Sequence, residues 1–168
     1  STVSADISRK IAREWLKPGQ NFVDAPVSGG QQGAINGQLS IFCGGDAQAI
    51  AKAQPVLAAY AKAQAHVGPV GSGQLAKMVN QICVAGVIQG VAEGMLFAQH
   101  AGLDVAQVMS LVAQGAGSSW QLINRHATML AGQYEHGFAV DWMRKDLDIV
   151  EAEAERLGLN LPLTPQIN

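Results

Sequence analysis

The stretch GPVGSGQLAKMVNQ, residues 68 to 81, sets a lysine and an asparagine three positions apart where a glycine-rich loop turns into an apolar helix. That spacing puts Lys77 and Asn80 on one helix face, within reach of one small molecule. The lysine is out of place. A helix N-terminus carries partial positive charge and disfavours a cation, and no acidic residue lies within a helical turn of Lys77 in sequence. The apolar residues that follow (Met78, Val79, Ile82, Val84, Val87 and Ile88) read as a buried helix. Apolar surroundings and helix polarity both favour the neutral amine. A lysine so placed could give or take a proton near neutral pH. On spacing alone, a lysine snorkelling from a partly buried helix is an equal reading.

A second stretch, DAPVSGG, ends a short apolar run in Ser28, Gly29 and Gly30. A hydroxyl and successive backbone N–H groups unobstructed by Cβ atoms suit a carboxylate or phosphate. By itself this feature is more often an ordinary turn. A third, FAVDWMRKDLDIV, sets Lys145 and Asp146 in a helix after Phe138, where a solvated charged face is the usual reading. Trp120, after GAGSS, packs either a pocket or the core. The glycine loops hold no GxGxxG fingerprint. The glycine spacing of Gly68 to Gly73 is that of a Walker loop, but Gln74 stands where its lysine belongs.

Composition narrows the classes. Of 168 residues 48% are hydrophobic and 14% charged, with formal net charge −2, enough apolar material for a sizeable core. Scattered Lys and Arg and 5% aromatic residues exclude a nucleic-acid partner. Cys43 and Cys83 lie in apolar runs and read as buried thiols of a reducing compartment, hence a cytoplasmic location. The four histidines are dispersed, so no metal site is expected. The most apolar stretch, 75 to 98, is interrupted by Lys77, Asn80, Gln81, Gln89 and Glu93, which argues against a membrane span.

The elements that must position these residues change character along the chain. Up to about residue 70 the pattern is mixed α/β: a helix capped by Ser4 or Asp6, a strand over Asn21–Val27, a glycine-rich loop over SGGQQGAINGQ, and a strand in LSIFCGG. A helix capped by Asp46 and broken or kinked at Pro55 follows, then a strand in AQAHVGPVG. Beyond Gly71 the pattern is all helical, with helices predicted over roughly 74–101, 104–114, 118–131 and 140–157. Ala76, Ala85, Gly86, Gly90, Ala92, Gly94 and Ala98 mark the first of these as a central helix packed on most sides.

Together DAPVSGG, GSGQLAKMVNQ and FAVDWMRKDLDI, in this order and with GQLSIFCGGD and HVGPVG between, resemble the β-hydroxyacid dehydrogenase family. The resemblance covers nearly the whole chain. It implies α/β followed by all-α: residues 1–70 as the later half of a Rossmann-like NAD(P)-binding domain, joined by a long helix to a helical domain, 71–168. It implies Lys77 as the catalytic lysine and Asn80 as its aid or the substrate's. Ser28, Gly29 and Gly30 would grip the substrate carboxylate and Trp120 would line the pocket. Lys145 and Phe138 would lie on the cofactor side, with NAD or NADP as cofactor.

Imine reductases of related fold usually lack this lysine, and phosphogluconate dehydrogenases carry extra basic phosphate ligands not found here. The resemblance therefore implies hydride transfer on a small hydroxyacid or semialdehyde, in a homodimer or homotetramer. Members of the family begin with a glycine-rich fingerprint and further βα units that these residues do not contain. The chain is thus expected to be a piece of a longer subunit, unable by itself to bind cofactor properly. The reading from another class is a non-catalytic helical oligomerisation module.

Overall fold

A computed structural model describes residues 2–135 and 137–168. Its first helix, α1 (Ala5–Glu14), starts where the Ser4 hydroxyl accepts the Ile7 N–H, and ends at Trp15, two residues ahead of the Lys17–Gly19 breaker. The strand expected over Asn21–Val27 is two short ones, β1 (Val23–Asp24) and β2 (Val27–Ser28). Pro26 divides them: it has no N–H for a ladder, and instead its carbonyl accepts the Phe42 N–H.

The expected glycine-rich loop contains a helix, α2 (Gly30–Ile35). Glycine lowers helix propensity, but here the turn is closed by the Gly33 N–H on the Gly29 carbonyl and packs against the strand that follows. That strand, β3 (Leu39–Gly45), leads through α3 (Ala47–Leu57) to β4 (Ala61–Gly68). Asp46 caps α3 through the Gln48 and Ala49 N–H groups, and the helix stops two residues past Pro55.

β3 and β4 pair in parallel, which requires a crossover such as α3. Along the opposite edge of β3, β2 pairs antiparallel at Ile41 and Ser40 and β1 at Gly45 and Gly44. Leu39, Ile41, Cys43 and Leu57 are the buried centre of this part.

From Gly71 onward the elements are α4 (Ser72–His100), α5 (Val105–Val112), α6 (Trp120–Leu130), α7 (Val140–Arg156) and the short α8 (Thr164–Ile167). Asp104 caps α5 and Ser119 caps α6, each through a side-chain oxygen. The sequence reading had no α8, a single turn that packs on α4 and α7. Val91, Met95, Met109 and Leu122 form a second buried centre, between α4, α5 and α6.

Helix α4 is about 43 Å long at 1.5 Å per residue, and its 29 residues touch the sheet at one end and α5 to α8 along their length. It is not packed on most sides. Met78, Gln81, Ala85, Val91, Met95 and Ala98 are buried, whereas Val79, Val87, Ile88, Leu96 and Phe97 are exposed. Contrary to the expectation from its polar interruptions, it is long and apolar enough to cross a membrane by length and composition. Its start is nonetheless built into the α/β part. The two thiols also differ: Cys43 is buried and Cys83 exposed, so only the first fits the expected buried role.

Candidate active site around Lys77

The start of α4 is anchored by a side chain from far upstream. Asp24, buried at the end of β1, accepts the Gly71 N–H on Oδ1 at 2.7 Å and the Gln74 N–H on Oδ2 at 3.0 Å. The N–H groups of a first helical turn have no partner within the helix, and a carboxylate there also complements the dipole. The approach is close enough to exclude side chains. A Cβ on Gly73 would stand 2.5 Å from both the Asp24 and the Phe42 carbonyl oxygens, and one on Gly44 would stand 2.6 Å from Asp24 Oδ1. Gly71 itself has φ +93°. From the other side, Gln74 Oε1 accepts the Val3 N–H at 3.1 Å. Lys77 follows in the second turn, on a helix end fixed by the sheet.

Lys77 is half-buried, and among the described residues its Nζ has no hydrogen-bond or ion-pair partner. Burial pushes its pKa below the ordinary lysine value of 10.5; the charge of Asp146 opposes that shift and the charge of Lys145 adds to it. The compensating acid that sequence proximity did not offer thus comes from α7. Asp146 is 2% exposed, which corrects the reading of its segment as a solvated face.

Both oxygens of Asp146 are engaged. Oδ2 accepts the Gln81 amide Nε2–H at 2.6 Å, and Oδ1 ion-pairs with Lys145 Nζ at 2.6 Å without hydrogen-bond geometry. Lys145 Nζ also donates to the Thr2 carbonyl at 2.7 Å, and 41% of its side chain remains exposed. Gln81 Oε1 accepts from Asn80 Nδ2 at 2.8 Å. Lys77, Asn80, Gln81, Lys145, Asp146 and the Thr2 carbonyl therefore form one assembly across α4, α7 and the segment before α1.

The other predicted residues stand apart from that assembly. Ser28 is half-buried at the end of β2, with Gly29 at φ +133° and Gly30 at φ +63° opening α2. Both φ values lie in the region that favours glycine, and a Cβ on Gly29 would stand 3.0 Å from Leu39 Cδ2. Trp120 opens α6, is 57% exposed and has the Arg125 guanidinium 5.2 Å from its ring centroid, so it does not pack the core. Phe138, 52% exposed, lies just ahead of α7. Among the described residues none of these five bonds to the Lys77 assembly.

Sequence reasoning missed Asp24, Gln81 and Thr2. For Gln81 a signal existed: it is four residues after Lys77 and so shares its face. Asp24 and Thr2 had none, because their roles depend on contacts 47 and 143 residues away in sequence. No cluster of metal-ligating side chains occurs among the described residues.

Fold and site together define a class: an α/β layer joined through one long helix to an all-helical part, with a half-buried lysine close to the join. The chain belongs to the β-hydroxyacid dehydrogenase family, since residues 71–168 match the family described as NAD-binding of NADP-dependent 3-hydroxyisobutyrate dehydrogenase. Residues 1–68 match the NAD binding domain of 6-phosphogluconate dehydrogenase. An uncharacterized oxidoreductase of Shewanella frigidimarina is 52% identical over the whole chain, which covers 58% of that protein. The 2-hydroxy-3-oxopropionate reductase of Escherichia coli is 37% identical over 98% of this chain and 56% of its own. A crystal structure of 3-hydroxyisobutyrate dehydrogenase from Salmonella typhimurium superposes with a TM-score of 0.90 at 34% identity, covering 99% of this chain and 59% of the other. The chain thus spans less than two thirds of the length of each of these proteins.

Proposed function

We propose that these residues supply the substrate pocket and proton-transfer group of an NAD(P)-dependent oxidoreductase that interconverts a small β-hydroxyacid and its semialdehyde. One observation carries the reading: a half-buried Lys77 amine, without a hydrogen-bond or ion-pair partner among the described residues, beside the buried Asp146 and its half-exposed partner Lys145. A bound nicotinamide would supply or accept the hydride. Lys77 would take the hydroxyl proton in the oxidation as a neutral amine, or give a proton to the carbonyl oxygen in the reduction as an ammonium. Its lowered pKa makes both forms accessible at milder pH than an ordinary lysine allows.

The Ser28 hydroxyl and the N–H groups opening α2 suit the substrate carboxylate. Asn80, with one amide proton and its carbonyl free among the described residues, suits the substrate's polar end. Fixing the carboxylate aims the carbinol carbon and lowers the entropy cost of reaction. Trp120 is exposed in a way that suits a pocket wall. The names of the relatives support the substrate class: 3-hydroxyisobutyrate and 2-hydroxy-3-oxopropionate each carry a carboxylate on the same carbon as the hydroxymethyl or aldehyde group.

For the cofactor, the residues fit in part. Lys145 has a partly exposed side chain and Phe138 is exposed, as a nicotinamide-side contact needs. No GxGxxG loop for the pyrophosphate occurs in the 168 residues. Residues 1–70 are accordingly assigned to the later part of the NAD(P)-binding domain and 71–168 to the helical domain of a longer subunit. Exposed Val87, Leu96 and Phe97 along α4 support self-association as a dimer or tetramer. An oligomerisation module alone would need no half-buried lysine beside a buried acid, so the enzyme reading is preferred.

The test is turnover by the complete subunit, following NADH and NADPH oxidation with glyoxylate and with tartronate, methylmalonate and succinate semialdehydes. The expected result is activity with one of them that collapses in Lys77→Ala while cofactor binding persists. Near-normal turnover in that variant overturns the assignment.

A further inference from the structure

The proposed reaction assigns nothing to Gln81, a buried member of the Lys77 assembly. It is 3% exposed, and both ends of its amide are taken. Oε1 accepts from Asn80 Nδ2 at 2.8 Å, and Nε2 donates to Asp146 Oδ2 at 2.6 Å. The remaining Nε2 direction meets Met143 Sδ at 3.9 Å. The amide has one allowed orientation. Turning it over would set its oxygen 2.6 Å from a carboxylate oxygen and its NH2 against the NH2 of Asn80, two repulsive contacts in a buried place. Asn80 and Gln81 are neighbours on one helix, whereas Asp146 comes from α7, so this amide is the polar tie between the two helices beside Lys77.

We propose that Gln81 is a positioning residue: its amide fixes Asp146, and with it the charge facing Lys77, and presents Asn80 with its carbonyl free for substrate. The proposal rests on the function proposed above. Gln81 touches neither substrate nor the reacting atoms, and acts only through its two neighbours. Its loss therefore acts on both steps at once. A loosened Asn80 raises KM for the carboxylate substrate, and a turned Asp146 lowers kcat.

Two variants of similar length separate the two bonds. Gln81→Met removes both. Gln81→Glu keeps an acceptor for Asn80 but sets a second carboxylate against Asp146. In NMR spectra of the chain, the hydrogen-bonded Asn80 Nδ2 proton loses its downfield shift and exchange protection in Gln81→Met and keeps them in Gln81→Glu, with the backbone spectrum of α4 unchanged. In the complete subunit, Gln81→Met lowers kcat about tenfold, the size of one charge-assisted hydrogen bond, and raises KM. Gln81→Glu lowers kcat with KM near the parent value. In an Asp146→Asn background the Gln81→Met loss in kcat largely disappears, because both changes remove the same interaction.

Parent kinetics in Gln81→Met, or losses that multiply in full with Asp146→Asn, overturn the proposal. Loss of the native backbone spectrum in both variants also overturns it, in favour of a purely structural role. Lys77→Ala tells the two readings apart. If that variant is inactive while Gln81→Met is normal, only the role of Gln81 falls. If Lys77→Ala turns over normally, the proposed function falls and takes this inference with it.

Discussion

Asp24 reaches across 47 residues of sequence to take the Gly71 N–H at 2.7 Å, and so ties the strand that leads to Ser28 to the helix that carries Lys77. Its second oxygen holds the Gln74 N–H, so one buried carboxylate closes the start of α4. Asp24→Ala leaves two N–H groups buried without a partner and is expected to lower stability by about 3 kcal/mol or more. Asp24→Asn keeps one acceptor but turns an NH2 toward the second N–H, and falls between. Urea unfolding of the three proteins gives the order; equal midpoints would show that the helix end does not depend on this carboxylate.

Glycines in α4 divide by what surrounds them. A Cβ on Gly73 would meet two carbonyl oxygens at 2.5 Å, and backbone cannot step aside as a flexible side chain can. Gly73→Ala is therefore expected to cost about 1–3 kcal/mol as overpacking. Gly90 and Gly94 have open space at the same position. Gly90→Ala is expected to stabilise the isolated chain by up to about 1 kcal/mol through helix propensity. A destabilisation measured instead, accompanied by loss of a dimer in sedimentation, would show that a second subunit covers this face.

The thiols offer a direct check on burial. Cys43 lies inside the sheet, and burial, then the Asp24 charge, pushes its pKa above the model-compound value of 9.0. Cys83 is exposed on α4. Iodoacetamide at mild alkaline pH should alkylate Cys83 alone in the native protein and both cysteines after unfolding, as read by peptide mass. Alkylation of Cys43 at a similar rate without unfolding would contradict its placement.

The sequence displayed the helices of the second half well, because their caps are local: Asp104 and Ser119 bond within their own first turns. It displayed the motif residues too, since Lys77 and Asn80 share a face by spacing alone. It misled where context overrides a local signal. Pro26 divides a segment that reads as one strand, and α2 forms from a segment whose glycines read as loop. It also misled where apolar character was equated with burial, as at Val79, Val87 and Ile88. The partners of the site were hidden for a different reason. That Asp146 is buried beside Lys77, and that Lys145 bonds to Thr2, are properties of helix packing and not of any short window.

Lys77 ties pH to stability and, in the proposed reaction, to turnover. Burial lowers its folded-state pKa below the ordinary 10.5, so the unfolded chain holds the proton more tightly. Stability then carries a constant penalty below the folded-state pKa, rises with pH between that value and 10.5, and is free of the penalty above. Lys77→Met should remove the penalty and give a protein that is inactive yet no less stable at neutral pH. For turnover, oxidation needs the neutral amine, so its rate should climb with pH to a plateau set by the pKa of Lys77. Asp146 raises that pKa and Lys145 lowers it. Asp146→Asn removes the raising charge and leaves the lowering one, and should move the rising limb to lower pH while weakening the hold of α7 on Gln81. A limb that stays in place in Asp146→Asn, or that persists in Lys77→Met, would assign the titration to another group.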